Sequence, residues 1–117
     1  MSHEKDMNVS SLLDFYSPLL SDAERESADL YFNQDLSLAE IAELHGISRN
    51  GERLRLEKVR RDLLRYESAL GLKKQYDKEN SLFDRLEEKA KTLPENERKE
   101  ILDIIEALRN GGETPDV

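Results

Sequence analysis

The stretch that decides the fold is Ser37-Leu38-Ala39-Glu40-Ile41-Ala42-Glu43-Leu44-His45-Gly46-Ile47-Ser48-Arg49-Asn50. Ser37 followed three residues later by Glu40 is a capping box, in which each residue satisfies a backbone donor of the other's turn. Leu38, Ile41, Ala42 and Leu44 give the helix that follows an inner face. Gly46 stands where a tight turn needs a positive φ, which glycine reaches without steric cost. Ser48 caps a second helix. Ala42 is small where two helices must cross closely, and Ile41, Leu44 and Ile47 are expected to fill the space between them. The pattern predicts a helix-turn-helix over about residues 37–66, with the first turns of the second helix placed to meet base edges in a major groove. Helical hairpins of this shape also make protein contacts, so the motif specifies the architecture more closely than the ligand.

The rest of the chain reads as helix on both sides of this motif. The expected fold class is all-α: a helix-turn-helix with an N-terminal helix and a C-terminal helical extension, in a single domain over residues 1–117. No Val/Ile/Thr-rich alternation suggests a strand. A first helix is expected from about Asn8 to Ser17, with Val9, Leu12, Leu13, Phe15 and Tyr16 on its apolar side and Pro18 against its continuation. Ser21 and Glu24 form a second capping box, ahead of a helix carrying Ala28, Leu30, Tyr31 and Phe32. The helix that Ser48 caps runs to about Leu70, where Gly71 stops it. Two C-terminal helices are expected within residues 75–110, one inside Gln75–Lys91 and one after Pro94, closed by Gly111 and Gly112. The tail 113–117 is expected to be mobile.

The composition narrows the function. The 117 residues hold 26 acidic and 18 basic side chains, a formal net charge of −8, which argues against phosphate-backbone binding by the whole surface. The charge is unevenly placed. Residues 1–48 carry a net −8, residues 49–65 a net +4 (Arg49, Arg53, Arg55, Lys58, Arg60, Arg61 and Arg65 against Glu52, Glu57 and Asp62), and residues 66–117 a net −4. An acidic chain thus contains one basic helix, either a solvated face with internal ion pairs or a surface turned to nucleic acid. There is no cysteine, which excludes disulfides and fits a reducing compartment. No apolar run approaches the roughly 18 residues of a membrane span. The opening MSHEKDMNVS lacks an apolar signal core. A cytoplasmic protein without membrane contact is expected.

The segment LLDFYSPLLSDAERESADLYFNQDLSLAEIAELHGISRN and the later L-E-K-V…L-L-R-Y-E…L register also carry a family resemblance. Residues 21–70 resemble the region-4 domain of bacterial sigma factors. Over about residues 9–90 the chain is more similar to the YlxM family of small bacterial proteins associated with the signal recognition particle. The resemblance implies a sigma-like helix-turn-helix and a regulatory role, with the particle's GTPase or its RNA as possible partners. The chain departs from the family pattern after Asn50: Gly51 and Glu52 stand where Ala and then Val are usual. The Val position packs against the first helix of the motif, so Glu52 must be paired, turned outward or protonated. Gly51 weakens the helix start by about 1 kcal/mol relative to Ala.

Candidate site residues follow from these patterns. Ser48, Arg49, Asn50, Arg53 and Lys58 form the expected nucleic-acid surface, since Arg pairs well with guanine and Asn with adenine. Arg60, Arg61 and Arg65 are expected in pairs with acidic neighbours. Leu56, Val59, Leu63, Tyr66 and Leu70 make a 3-4-3-4 stripe that serves as core or as an interface, for which the later helices or a second copy could supply the cover. Because paired half-sites need two recognition helices, a homodimer is expected. His3 and His45 lack partners at metal-ligand spacing, His45 being expected exposed in the turn, so neither a metal nor another cofactor is expected. Glu87, Glu88, Glu95 and Glu97 read as solvated helix surface, and no catalytic constellation or phosphate loop is present. The chain is not expected to be an enzyme. Three functions compete: an accessory of the signal recognition particle acting through RNA or protein contacts, a sigma-like DNA-binding regulator, and a helical protein-interaction module.

Overall fold

The computed structural model describes residues 7–111 and is all-helical there. His3, Gly112 and the tail 113–117 lie outside the described residues. The helices are α1 (Met7–Tyr16), α2 (Asp22–Ala28), α3 (Leu38–His45), α4 (Arg49–Leu70), α5 (Leu72–Ala90) and α6 (Glu95–Arg109). A 3₁₀ turn at Ser17–Leu19, opened by Pro18, separates α1 from α2. The contacts divide the chain into two compact units, one ending at Lys73 and the other beginning at Lys74.

In the first unit α4 packs on α1, α2 and α3. Its core joins Val9, Leu12, Leu13 and Tyr16 of α1 with Ala28, Tyr31, Ile41 and the α4 residues Leu56, Val59 and Leu63. The capping boxes form as the sequence predicts: Ser21 with Glu24, and Ser37 with Glu40. The turn of the motif is a Schellman ending of α3. Gly46 adopts φ +66°, its N–H reaches the Glu43 carbonyl, and the Ile47 N–H reaches the Ala42 carbonyl at 3.1 Å. Ala42 is buried at the helix crossing.

Two local features are not visible in the apolar pattern. After Ala28 the second helix widens into a π segment, Asp29–Asn33. Asp29 closes it by accepting from Asn33 Nδ2 at 2.8 Å and from Gln34 Nε2 at 2.7 Å. The second feature is the early start of α5, at Leu72 directly after Gly71 (φ +62°) rather than at Gln75. Its first free N–H groups find partners at once: Leu72 donates to the Tyr16 hydroxyl at 3.0 Å and Lys73 to Glu67 Oε1 at 3.1 Å. The Tyr16 hydroxyl in turn donates to Glu67 at 2.6 Å. Burial and the Glu67 carboxylate push the Tyr16 phenol above its ordinary range.

The second unit holds most of α5 together with α6. Ala90 and Ile105 are buried there, and Arg109 crosses to α5, bonding Asn80, Asp84 and Glu87 over the Phe83 ring. Leu82 and Leu86 of α5 are exposed.

Candidate nucleic-acid interface

The start of α4 is built from its cap outward. The Ser48 hydroxyl accepts the Gly51 N–H at 2.9 Å, which fixes the first turn and leaves Arg49 and Asn50 exposed. Arg53 lies one turn on and half-covered. Its guanidinium donates twice to Asn50 Oδ1, at 3.2 and 2.7 Å, and to Glu57 at 2.7 Å. Ser48, Arg49, Asn50 and Arg53 therefore share one surface, and Asn50 and Arg53 are pre-arranged by their own bonds.

Lys58 does not join them. Its ammonium sits 2.8 Å from both Glu24 and Asp62. Asp62 first, then Glu24, pushes its pKa up to about 12, and Lys58 in turn holds the Glu24 carboxyl below its usual range. A lysine bridging α2 and α4 serves the fold, and its charge is already matched. Arg65 also turns to Asp62, at 3.3 Å. The segment's own acids are already counted in its +4, so of these pairs only the one with Glu24, from α2, lowers it. The stripe on α4 is likewise spent unevenly: Leu56, Val59 and Leu63 are buried in the first unit's core, Tyr66 is partly buried against it, and Leu70 is 56% exposed. The cover for its first three members comes from the first unit's own helices α1, α2 and α3.

The interior of the motif corrects three expectations. Leu44 and Ile47 do not fill the space between α3 and α4: they are 65% and 38% exposed. His45, four residues after Ile41 on the same face of α3, takes the inward position instead. His45 is not exposed in the turn. Its Nδ1 shares a hydrogen bond of 2.5 Å with Glu52 Oε1, and its side chain keeps 14% exposure. Glu52 is wholly buried and paired, with Arg55 Nη1 3.4 Å from the same oxygen. Arg55 also donates to Ser27 of α2 at 3.1 Å. Glu52 therefore does not repel a phosphate from the surface. The signal for this cluster is present in the sequence, as polar residues of complementary charge one before, six after and nine after Gly46, but only the placement of these positions inside the crossing makes it legible.

Among the described residues no group of His, Asp or Glu side chains is arranged to hold a metal ion, and no helix is long and apolar enough to cross a membrane. The sequence pattern of the UPF0122 family, described as YlxM / p13 like helix-turn-helix proteins, matches residues 3–104. Among individual relatives, the UPF0122 protein YlxM of Bacillus subtilis is 36% identical over 108 residues, covering 92% of this chain and 96% of the relative. A UPF0122 protein of Thermoanaerobacter sp. is 39% identical over 98 residues, 83% of this chain and 84% of its own length. One from Clostridium botulinum is 42% identical over 86 residues, 73% and 79% of the two chains.

Proposed function

The chain belongs to the UPF0122 family of helix-turn-helix proteins, and from that premise we propose that it is a regulatory protein that contacts nucleic acid through the first turn of α4. The observation that supports this reading is the capped helix start that holds Arg49, Asn50 and Arg53 outward together. A helix presented in this way fits the major groove of duplex DNA, whereas the deep, narrow groove of an RNA duplex excludes it. With Arg49 and Arg53 as its cations, the latter already bonded to Glu57, the surface engages few phosphates. Binding is therefore modest, with a log–log salt slope of about −2. Fluorescence anisotropy against duplex DNA at several salt concentrations tests this. Arg49→Ala is expected to weaken binding across sequences and reduce the slope by about 1. No binding by micromolar protein in low salt overturns the reading. A homodimer spanning two half-sites is part of the same proposal, with the end of the stripe, the half-buried Tyr66 and the exposed Leu70, left for the contact.

A second reading rests on a different observation. Leu44, Ile47 and Leu54 stand exposed around the same turn and helix, and apolar side chains beside a surface so poor in unpaired charge favour a protein contact. In the signal recognition particle pathway, which the family resemblance implies, the partner is the particle's GTPase, with its RNA as the alternative acceptor. Capture by the purified GTPase that survives Arg49→Ala but is lost in Leu44→Ser/Leu54→Ser supports this reading. Capture by the RNA alone, lost in Arg49→Ala, excludes it.

A further inference from the structure

The two helices of the second unit leave much of their apolar surface uncovered. Among the described residues of that unit, Ala90 and Ile105 alone are buried. Leu82 and Leu86 of α5 and Ile104 and Leu108 of α6 each stand about half exposed. α6 folds back along α5, and Arg109 near its end bonds Asn80, Asp84 and Glu87, which marks the sides the two helices turn to each other. At 3.6 residues per turn, the rotation from that seam to Leu82 and Leu86, and from it to Ile104 and Leu108, brings all four to one side of the hairpin. The two outer edges of this apolar face carry opposite charge. Along α5, Lys78, Arg85 and Lys89 lie four before, three after and seven after Leu82, on its own side of the helix. Along α6, Glu97 and Glu100 lie seven and four before Ile104. All five are exposed, and none is in an ion pair within the described residues.

We propose that this face seats the same face of a second copy of the chain, so that two α5–α6 hairpins close into a four-helix bundle. The edge charges select the occupant and its orientation. Two copies can meet face to face about a two-fold axis that runs along the helices or across them. Across them, each basic edge meets the other basic edge, which repels. Along them, the basic edge of α5 meets the acidic edge of the second copy's α6, and the symmetry repeats the match on the other side. A two-fold contact must be self-complementary, and a face with one basic and one acidic edge meets that condition. The same orientation sets each α5 antiparallel to the α6 it faces, and it covers the four exposed apolar side chains. The contact uses neither the start of α4 nor Tyr66 and Leu70, so its test contains no nucleic acid.

Sedimentation equilibrium of the full chain at micromolar concentration tests this, with circular dichroism to follow helicity. The natural sequence is expected to show the mass of two chains. Leu86→Ser with Ile104→Ser is expected to keep its helices, since both side chains are exposed in the single chain, and to weaken the dimer by roughly a hundredfold. The edges are tested by reversal. Lys78→Glu/Arg85→Glu/Lys89→Glu makes both edges acidic, and Glu97→Lys/Glu100→Lys makes both basic. Each variant alone is expected to be monomeric, and an equal mixture of the two is expected to form dimers with one chain of each kind. A natural chain that stays monomeric overturns the proposal, as does a mixture that stays monomeric. A dimer that is broken by Leu70→Ser and indifferent to the α5 and α6 variants places the contact on α4 and also overturns it.

Discussion

Two crossings along one helix are made of opposite materials. In the middle of α4, Leu56, Val59 and Leu63 share one apolar cluster with Val9, Leu12, Leu13 and Tyr16 of α1, the α4 members being between 0 and 1% exposed. Near its start, Glu52 and Arg55 meet His45 of α3 and Ser27 of α2. The apolar crossing is held by area and close packing, which have no direction and do not depend on pH. The polar crossing is held by bonds with fixed angles between polar and charged groups, so it specifies one seating. Stability is therefore expected to reside in the first crossing and the orientation of the candidate reading surface in the second.

The comparison is sharpest at its apolar end. Leu63→Ala removes a wholly buried side chain and leaves a cavity, and is expected to cost about 4 kcal/mol by chemical denaturation. The polar end can be broken in two ways that differ in outcome. His45→Ala strips Glu52 of its closest partner inside the crossing and is expected to cost about 3 kcal/mol. His45→Leu with Glu52→Val replaces the pair by packing side chains, and is expected to fall within about 1 kcal/mol of the natural chain or above it. If the double variant is as unstable as the single, the two crossings are not interchangeable in kind, and the distinction drawn between them fails.

Tyr16 crosses that distinction, as a polar atom at the margin of the apolar crossing. Tyr16→Phe removes the hydroxyl that the Leu72 N–H and Glu67 share, Glu67 keeping the Lys73 N–H, and is expected to lower Tm by roughly 4–8 °C. Burial and Glu67 raise the phenol's pKa in the folded chain above its ordinary 10.0. Its contribution is thus complete below that value and is lost as pH climbs through the folded one. An unfolding series above pH 10 is expected to be steeper for the natural chain than for Tyr16→Phe. The smallest effect is at Gly51. A methyl group there stands 3.2 Å from the Ser48 hydroxyl, so the cap must give by a few tenths of an ångström. Against that, alanine adds up to about 1 kcal/mol of helix propensity. A net gain of about 0.5 kcal/mol in thermal unfolding is expected for Gly51→Ala, and a loss shows that the cap cannot move.

Much of the fold was legible because its signals are local. Ser21 with Glu24, Ser37 with Glu40, Gly46 and Gly71 mark helix ends through bonds to their own neighbours, and the structure places each where the sequence predicts. The candidate site was legible only in its first turn. Lys58 reads as a surface cation until Glu24, thirty-four positions earlier in sequence, is brought beside it. Leu44 and His45 are adjacent in sequence, and which of them faces inward depends on the angle at which α3 meets α4. The early start of α5 depends on Tyr16 reaching Leu72 across fifty-six positions.

The sequence by itself determined that this chain is all-helical, that it carries a helix-turn-helix, and that a capped helix with Arg49, Asn50 and Arg53 opens the second half of that motif. Those properties follow from periodicity, capping and turn chemistry, which act within a few residues. Only the tertiary structure decided which charges are free, which are spent, and that Glu52 is buried with His45 and Arg55. The energy of a buried charge depends on what faces it across a helix crossing, and sequence order alone does not fix that neighbour.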